Sequence, residues 1–117
     1  MTEHRRFSRI PFVSESVVVM EGRQFRTQLI DISLKGALVD RPADFVAETD
    51  HPVHLDVNLG TRDAVISMDC EIAHLTADRV GLRCVSIDLD SIAHLRRLIE
   101  LNSGDPKQVE RELSLLV

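Results

Sequence analysis

Three arginines crowd the start of this chain, Arg5, Arg6 and Arg9, within Arg5-Arg6-Phe7-Ser8-Arg9. A guanidinium can bind phosphate oxygens in bidentate fashion, grip guanine at O6 and N7, or stack on a purine face, whereas lysine can do only the first. Further along, Asp31-Ile32-Ser33-Leu34-Lys35-Gly36 closes a strand-like run. The Asp31 carboxylate can accept from the N1–H and exocyclic amine of guanine, with the Ser33 hydroxyl donating or accepting beside it. Alternation puts Asp31 and Ser33 on one side of an extended strand, and Gly36 permits a tight turn or a close approach of backbone to a ligand. These residue types support recognition of an anionic purine.

The arginines cannot do this alone. Three charge-assisted contacts at about 2 kcal/mol give roughly 6 kcal/mol, and ordering a five-residue tail costs on the order of 5 kcal/mol or more. Micromolar affinity needs about 8 kcal/mol. A rigid surface that reads the bases has to supply the difference, and the strand carrying Asp31 and Ser33 is the candidate for it.

The elements that would build that surface are legible as alternation. Ser16 to Met20 is β-branched and reads as a strand; a turn at Gly22 leads to a returning arm, Phe25 to Asp31. Ala37 to Asp40 is a short strand, and Ala43 to Asp50 a loop with room for one helical turn. Val53, Leu55, Val57 and Leu59 alternate with His54, Asp56 and Asn58, the clearest period-two signal in the chain. A long run from Ala64 to Leu75 puts Ile66, Met68, Cys70 and Ile72 on one face, and Val80 to Ile87 returns with Val80, Leu82 and Cys84 apolar. A register that keeps these faces together makes Cys70 and Cys84 cross-strand neighbours. The period then changes to about 3.6. Asp88 or Asp90 can cap a helix carrying Ile92, Leu95, Leu98 and Ile99, which should stop at Gly104. Asp105-Pro106 starts a second helix that buries Val109, Leu113 and Leu116. The pattern is mainly β, about six antiparallel strands followed by C-terminal helices, and it favours a small barrel.

The two motifs, of the forms RxxxR and DxSxxG, occur in this order with a hairpin between them, and together they resemble the ligand signature of the PilZ domain family. The likeness covers most of the chain, including the helical stretch from Asp88 to Leu98, and is greatest to short single-domain PilZ proteins of pseudomonads. It implies a six-stranded antiparallel β-barrel and binding of cyclic di-GMP on the barrel's outside, with the arginine segment closing over the ligand. By the same resemblance Arg5 and Arg9 match the two claw arginines, Arg6 lies between them, and Asp31, Ser33 and Gly36 match the strand motif. Some relatives that bind an intercalated ligand dimer carry a further arginine where this chain has His4, so the stoichiometry is open. His74 stands where a similar protein carries a larger aromatic and is a further candidate contact. The resemblance divides the single domain into a flexible arginine-rich segment (1–12), a barrel (15–87) and helices (88–117).

Composition sets the remaining bounds. At 117 residues the chain makes one domain. The formal net charge of -5 disfavours nonspecific binding to nucleic acid or acidic membrane, and without Trp or Tyr the usual stacking platforms for single strands are missing. No apolar run approaches a bilayer span, and no stretch of signal-peptide length follows Thr2-Glu3-His4-Arg5-Arg6. The expected location is the cytoplasm, and the expected state a monomer. Two cysteines make no disulfide framework and no CxxC pair. His51, His54 and His94 lack metal-ligand spacing. P-loop, GxGxxG and hydrolase patterns are all missing. The expectation is a non-enzymatic receptor for cyclic di-GMP, without other cofactor or metal, that alters its surface to signal to a protein effector. The alternative is a PilZ-type adaptor for pilus or flagellar control that binds no nucleotide.

Overall fold

Period-two runs of apolar residues become strands here because each run has a partner that buries its apolar face. The computed structural model describes residues 10–60, 64–103, 111 and 113. They form six strands, β1 (Ile10–Met20), β2 (Arg23–Ser33), β3 (Gly36–Asp40), β4 (Pro52–Asn58), β5 (Val65–Leu75) and β6 (Arg79–Ile87), and one helix, α1 (Leu89–Ser103). All neighbours are antiparallel and the sheet closes on itself in the order β1, β2, β3, β6, β5, β4. The expected six-stranded antiparallel barrel is therefore the observed fold. Closure leaves no continuous sheet edge, which a small β-protein otherwise has to protect.

The interior is filled from every strand. Val18, Phe25, Leu29, Ile32, Val39, Leu55, Val57, Ile66, Met68, Ile72, Val80 and Leu82 are buried, each worth roughly 1.5–3 kcal/mol of transfer free energy for a large aliphatic or aromatic side chain. β4 shows the alternation most plainly: Val53, Leu55 and Val57 point in, and His54 and Asp56 are half-exposed. Cys70 and Cys84 are directly opposed between β5 and β6, and Cys84 packs against the core that contains Cys70, as the hairpin register requires.

The crossover from β3 to β4, residues 41–51, carries Phe45 into the barrel. Its ring is only 1 % exposed and meets Phe25 edge-on at 5.0 Å. Arg41 fixes this plug by donating from Nε (3.0 Å) and Nη2 (2.8 Å) to the Phe45 carbonyl and from Nη1 to the Thr76 carbonyl (2.9 Å). Hydrogen-bonded turns shape the loop and residues 43–50 hold no helical turn.

Asp88 caps α1: its Oδ1 accepts from the Ser91 N–H at 2.7 Å, satisfying one of the orphan donors of the first turn. The Ser91 hydroxyl in turn accepts from the Ser67 N–H of β5 at 2.8 Å. Leu95 and Ile99 are fully buried, and the helix lies against β5 and touches β1. Of the expected second helix, Arg111 and Leu113 are helical and Leu113 packs against the core; the rest lies outside the described residues. β1 starts at Ile10 rather than Ser16, so residues 10–12 of the segment 1–12 belong to a strand. Pro11 and a register shift between Pro11 and Ser14 interrupt the alternation there, which removes the signal that would mark the strand's beginning.

Candidate functional site

Two bulges set the outer face of the barrel. Along β2, Phe25 and Leu29 point inward, and strict alternation would send Asp31 after them into the core. The register instead passes from Leu29 opposite Val39 to Asp31 opposite Leu38, leaving Ile30 as an extra residue. An inserted residue reverses the facing of every later side chain in its strand. Ile32 is thereby buried and Asp31 is turned outward beside Leu38, between the core-facing Ala37 and Val39. β5 does the same. Ile72 opposes Leu82, His74 opposes Gly81, and Ala73 is the extra residue; His74 is exposed although it continues the even-numbered series of core positions. Asp31, Leu38, Gly81 and His74 consequently form one row across four adjacent strands.

A second row runs beside it through Ser33, Gly36, Arg83 and Glu71. Ser33 is 7 % exposed and its Oγ accepts from the Lys35 N–H at 3.1 Å, which shapes the tight β2–β3 turn. Gly36 has no room for a side chain. A Cβ there would overlap the Leu82 carbonyl oxygen and lie 3.2 Å from the Arg83 Cα. The close approach that glycine allows is thus to the β6 backbone. Gly81 is filled differently: the His74 imidazole lies over it, with Nδ1 2.5 Å and Nε2 2.6 Å from a would-be Cβ. Neither glycine leaves open space on the wall: Gly36 is closed by the β6 backbone and Gly81 is covered by the His74 imidazole, with Asp31 and Arg83 in the flanking positions of the two rows. The exposed His74 imidazole can stack on a planar ring, and Asp31 and Arg83 bring an acceptor and a cation to the same wall.

Arg83 is already engaged. Its Nη2 donates to Glu71 Oε1 at 2.7 Å and to Asp50 Oδ1 at 3.1 Å. Alternation alone does not reveal Leu38, Gly81 or Arg83 as members of this surface, because their membership depends on which strands become neighbours. Arg5, Arg6 and Arg9 lie outside the described residues. Their covalent neighbour is within them: Ile10 opposes Ile32 and Pro11 opposes Asp31, so the chain enters β1 between the positions of Asp31 and Ser33.

A separate polar cluster occupies the outer face of β4 and β5. His54 Nδ1 is 2.9 Å from Asp69 Oδ1 and Nε2 is 2.9 Å from Asp56 Oδ1. Both acceptors are carboxylates, so the ring can donate to both at once only as imidazolium. Burial pulls the His54 pKa down, but the hydrogen bonds to Asp69 and Asp56 outweigh it and leave the pKa raised. The hydrogen bonds from His54 and then Ser86 lower that of Asp69. Ser67 Oγ adds a donor to Asp56 at 2.5 Å, and Ser86 Oγ one to Asp69 at 3.2 Å. Among the described residues no group of three or more His, Cys, Asp or Glu is arranged to hold a metal ion, and no helix is long and apolar enough to cross a membrane.

Comparison with known proteins matches residues 3–101 to the family model described as PilZ domain. That span contains both sequence motifs. Solved structures share the fold at low identity. The inhibitor of motility MotI/DgrA of Bacillus subtilis superposes with a TM-score of 0.74 at 17% identity, covering 89% of this chain and 54% of that one. This chain therefore spans about half the length of MotI/DgrA. The PilZ domain of YcgR from Escherichia coli, solved with c-di-GMP, gives 0.67 at 18% identity over 87% of this chain and 93% of that one. The PilZ domain of CeSA from a cellulose-synthesizing bacterium gives 0.62 at 18% identity, covering 83% and 96%.

Proposed function

The chain belongs to the PilZ domain family, and from that premise we propose that it is a non-enzymatic, cytoplasmic receptor for cyclic di-GMP that signals to a protein effector. One observation carries the reading: β1 begins opposite Ile32, flanked by Asp31 and Ser33. Arg9 is one residue upstream, about 3.8 Å away between Cα atoms, and Arg5 is at most about 18 Å away along a fully extended chain. The three arginines are thus tethered within reach of the wall whose outer rows carry Asp31, Ser33 and Gly36. In the proposed complex Arg5, Arg6 and Arg9 take the phosphodiesters and a guanine face, and Asp31 accepts from the N1–H and amine of guanine. The His74 imidazole that covers Gly81 stacks on a ring of the ligand. Closure of the N-terminal segment over the ligand changes the surface that the effector reads.

Calorimetric titration with cyclic di-GMP, against GTP and cyclic GMP as controls, tests this. Saturable binding by cyclic di-GMP alone supports the receptor, and loss of that binding in Arg9→Ala with an unchanged β-sheet spectrum assigns the arginine to the ligand. A flat titration rejects the receptor. One observation favours the second reading, an adaptor that binds no nucleotide: Ser33 and Gly36 have structural tasks of their own, the β2–β3 turn and contact with β6. Those two residues would be kept by the fold alone. Incubation with cyclic di-GMP followed by chromatography should return the ligand intact.

A further inference from the structure

Arg83 links the candidate site to the crossover loop. Its Cα partners are Gly36 on β3 and Glu71 on β5, and its side chain is about half-exposed. Both hydrogens of Nη2 are in use, toward Glu71 and Asp50, while Nε and Nη1 make no hydrogen bond among the described residues. Asp50 ends the crossover in a left-handed conformation (φ 68). Its N–H donates to the Ile72 carbonyl at 2.7 Å, and the Ile72 N–H returns to the His51 carbonyl at 3.0 Å. The loop is therefore stitched to β5 by backbone bonds and to β6 through the Arg83 guanidinium.

We propose that Arg83 is an additional contact for the anionic part of the ligand, and that its transfer from Asp50 to the ligand releases the end of the crossover loop. This rests on the cyclic di-GMP reading above. A phosphodiester arriving on the outer wall beside Arg83 offers the guanidinium a full negative charge in bidentate geometry. The same charge repels the two carboxylates that now hold Arg83. Glu71 is fixed on β5, paired on both sides, whereas Asp50 sits in a loop, so the Asp50 contact is the one to break. Binding is thereby written into a segment that the ligand does not touch.

Titration calorimetry and hydrogen exchange on the full chain decide it, with Arg83→Gln, Glu71→Gln and Asp50→Asn as variants. Asparagine is tolerated in the left-handed region, so Asp50→Asn removes the charge without disturbing the turn. Arg83→Gln should weaken cyclic di-GMP binding about 10- to 100-fold, the loss of one charge-assisted contact. Glu71→Gln and Asp50→Asn should each strengthen it by about 2- to 5-fold, since a competitor for the guanidinium has gone. Exchange of the Asp50 amide should accelerate when wild type is saturated, and in ligand-free Arg83→Gln. Wild-type binding retained in Arg83→Gln overturns the contact while leaving the receptor reading intact. Unchanged Asp50 exchange in ligand-free Arg83→Gln overturns the release. No binding by wild type removes the receptor reading together with the contact, while the ligand-free exchange still decides the tether.

Discussion

Gly36 and Gly81 are both tightly filled, yet alanine at the two positions should have unequal consequences. Neither glycine has a left-handed backbone, so each Gly→Ala change stabilises through the unfolded chain by about 0.4–1 kcal/mol. At Gly36 the new methyl meets backbone: it overlaps the Leu82 carbonyl oxygen and comes within 3.1 Å of the Leu82 carbonyl carbon. β3 would have to move away from β6, and because the obstacle is backbone the overpacking cost falls in the upper part of the usual range, about 2–3 kcal/mol. The net is about 1–2 kcal/mol of destabilisation, a fall of roughly 5–10 °C in Tm for a domain of this size. At Gly81 the obstacle is the exposed end of the His74 side chain, which can rotate into solvent for about 0.5–1 kcal/mol. The two terms nearly cancel, so Gly81→Ala should unfold within about 0.5 kcal/mol of wild type. Urea denaturation followed by far-UV circular dichroism, with m unchanged, measures both. Equal midpoints for the two variants, or a Gly36→Ala midpoint at the wild-type value, would refute the assignment of Gly36 to strand packing.

His54 gives a pH signature. Its pKa is raised in the folded state, so its contribution to stability is fully present below the unfolded value near 6.5 and is lost as pH rises through the higher folded value. The stability difference between wild type and His54→Gln should therefore shrink on going from about pH 6 to about pH 9, and a difference that grows over that range would contradict the imidazolium bridge. Asp69 titrates the opposite way: its depressed pKa contributes above the unfolded carboxylate value and is lost as pH falls through the folded one. Burial pushes the Cys70 thiol up to about 12 and raises Cys84 as well, so iodoacetamide at about pH 8 should label the native protein far more slowly than the urea-unfolded chain; equal rates would place a thiol in solvent. Asp88→Ala removes the cap of α1 and should cost about 1 kcal/mol, and Ser91→Ala, which strips the Ser67 N–H of its acceptor, about 1–3 kcal/mol. Wild-type midpoints in urea would show that water replaces these bonds.

Much of this barrel is written in local periodicity. β4, expected at Val53 to Leu59, spans Pro52–Asn58, and the β5–β6 hairpin follows its expected apolar faces closely enough to oppose Cys70 and Cys84. Alternation fails where the chain departs from period two. Pro11 and the register shift beside it hide the start of β1, and the bulges at Ile30 and Ala73 are what bring Asp31 and His74 onto the same outer row. Each bulge adds one residue of no distinctive type, Ile30 or Ala73, to a hairpin strand, so alternation does not mark where the facing reverses. Phe45 is likewise invisible: a single aromatic in a polar loop looks solvent-facing until the barrel mouth that it fills exists. Asp31, Ser33 and Gly36 can be chosen from residue type and spacing, while Gly81 and Arg83 belong to the same wall only because β3 pairs with β6.

The central claim is that cyclic di-GMP sits on the outer wall of β2, β3, β6 and β5 beneath the arginine segment. An amide-resolved NMR titration of the full chain with cyclic di-GMP reads this residue by residue. The account predicts saturable shifts at Asp31, Ser33, Gly36, Leu38, Gly81 and Arg83, with β4 amides such as Leu55 and Val57 left in place. Shifts centred on β4, or a spectrum unchanged at saturating ligand, would contradict it.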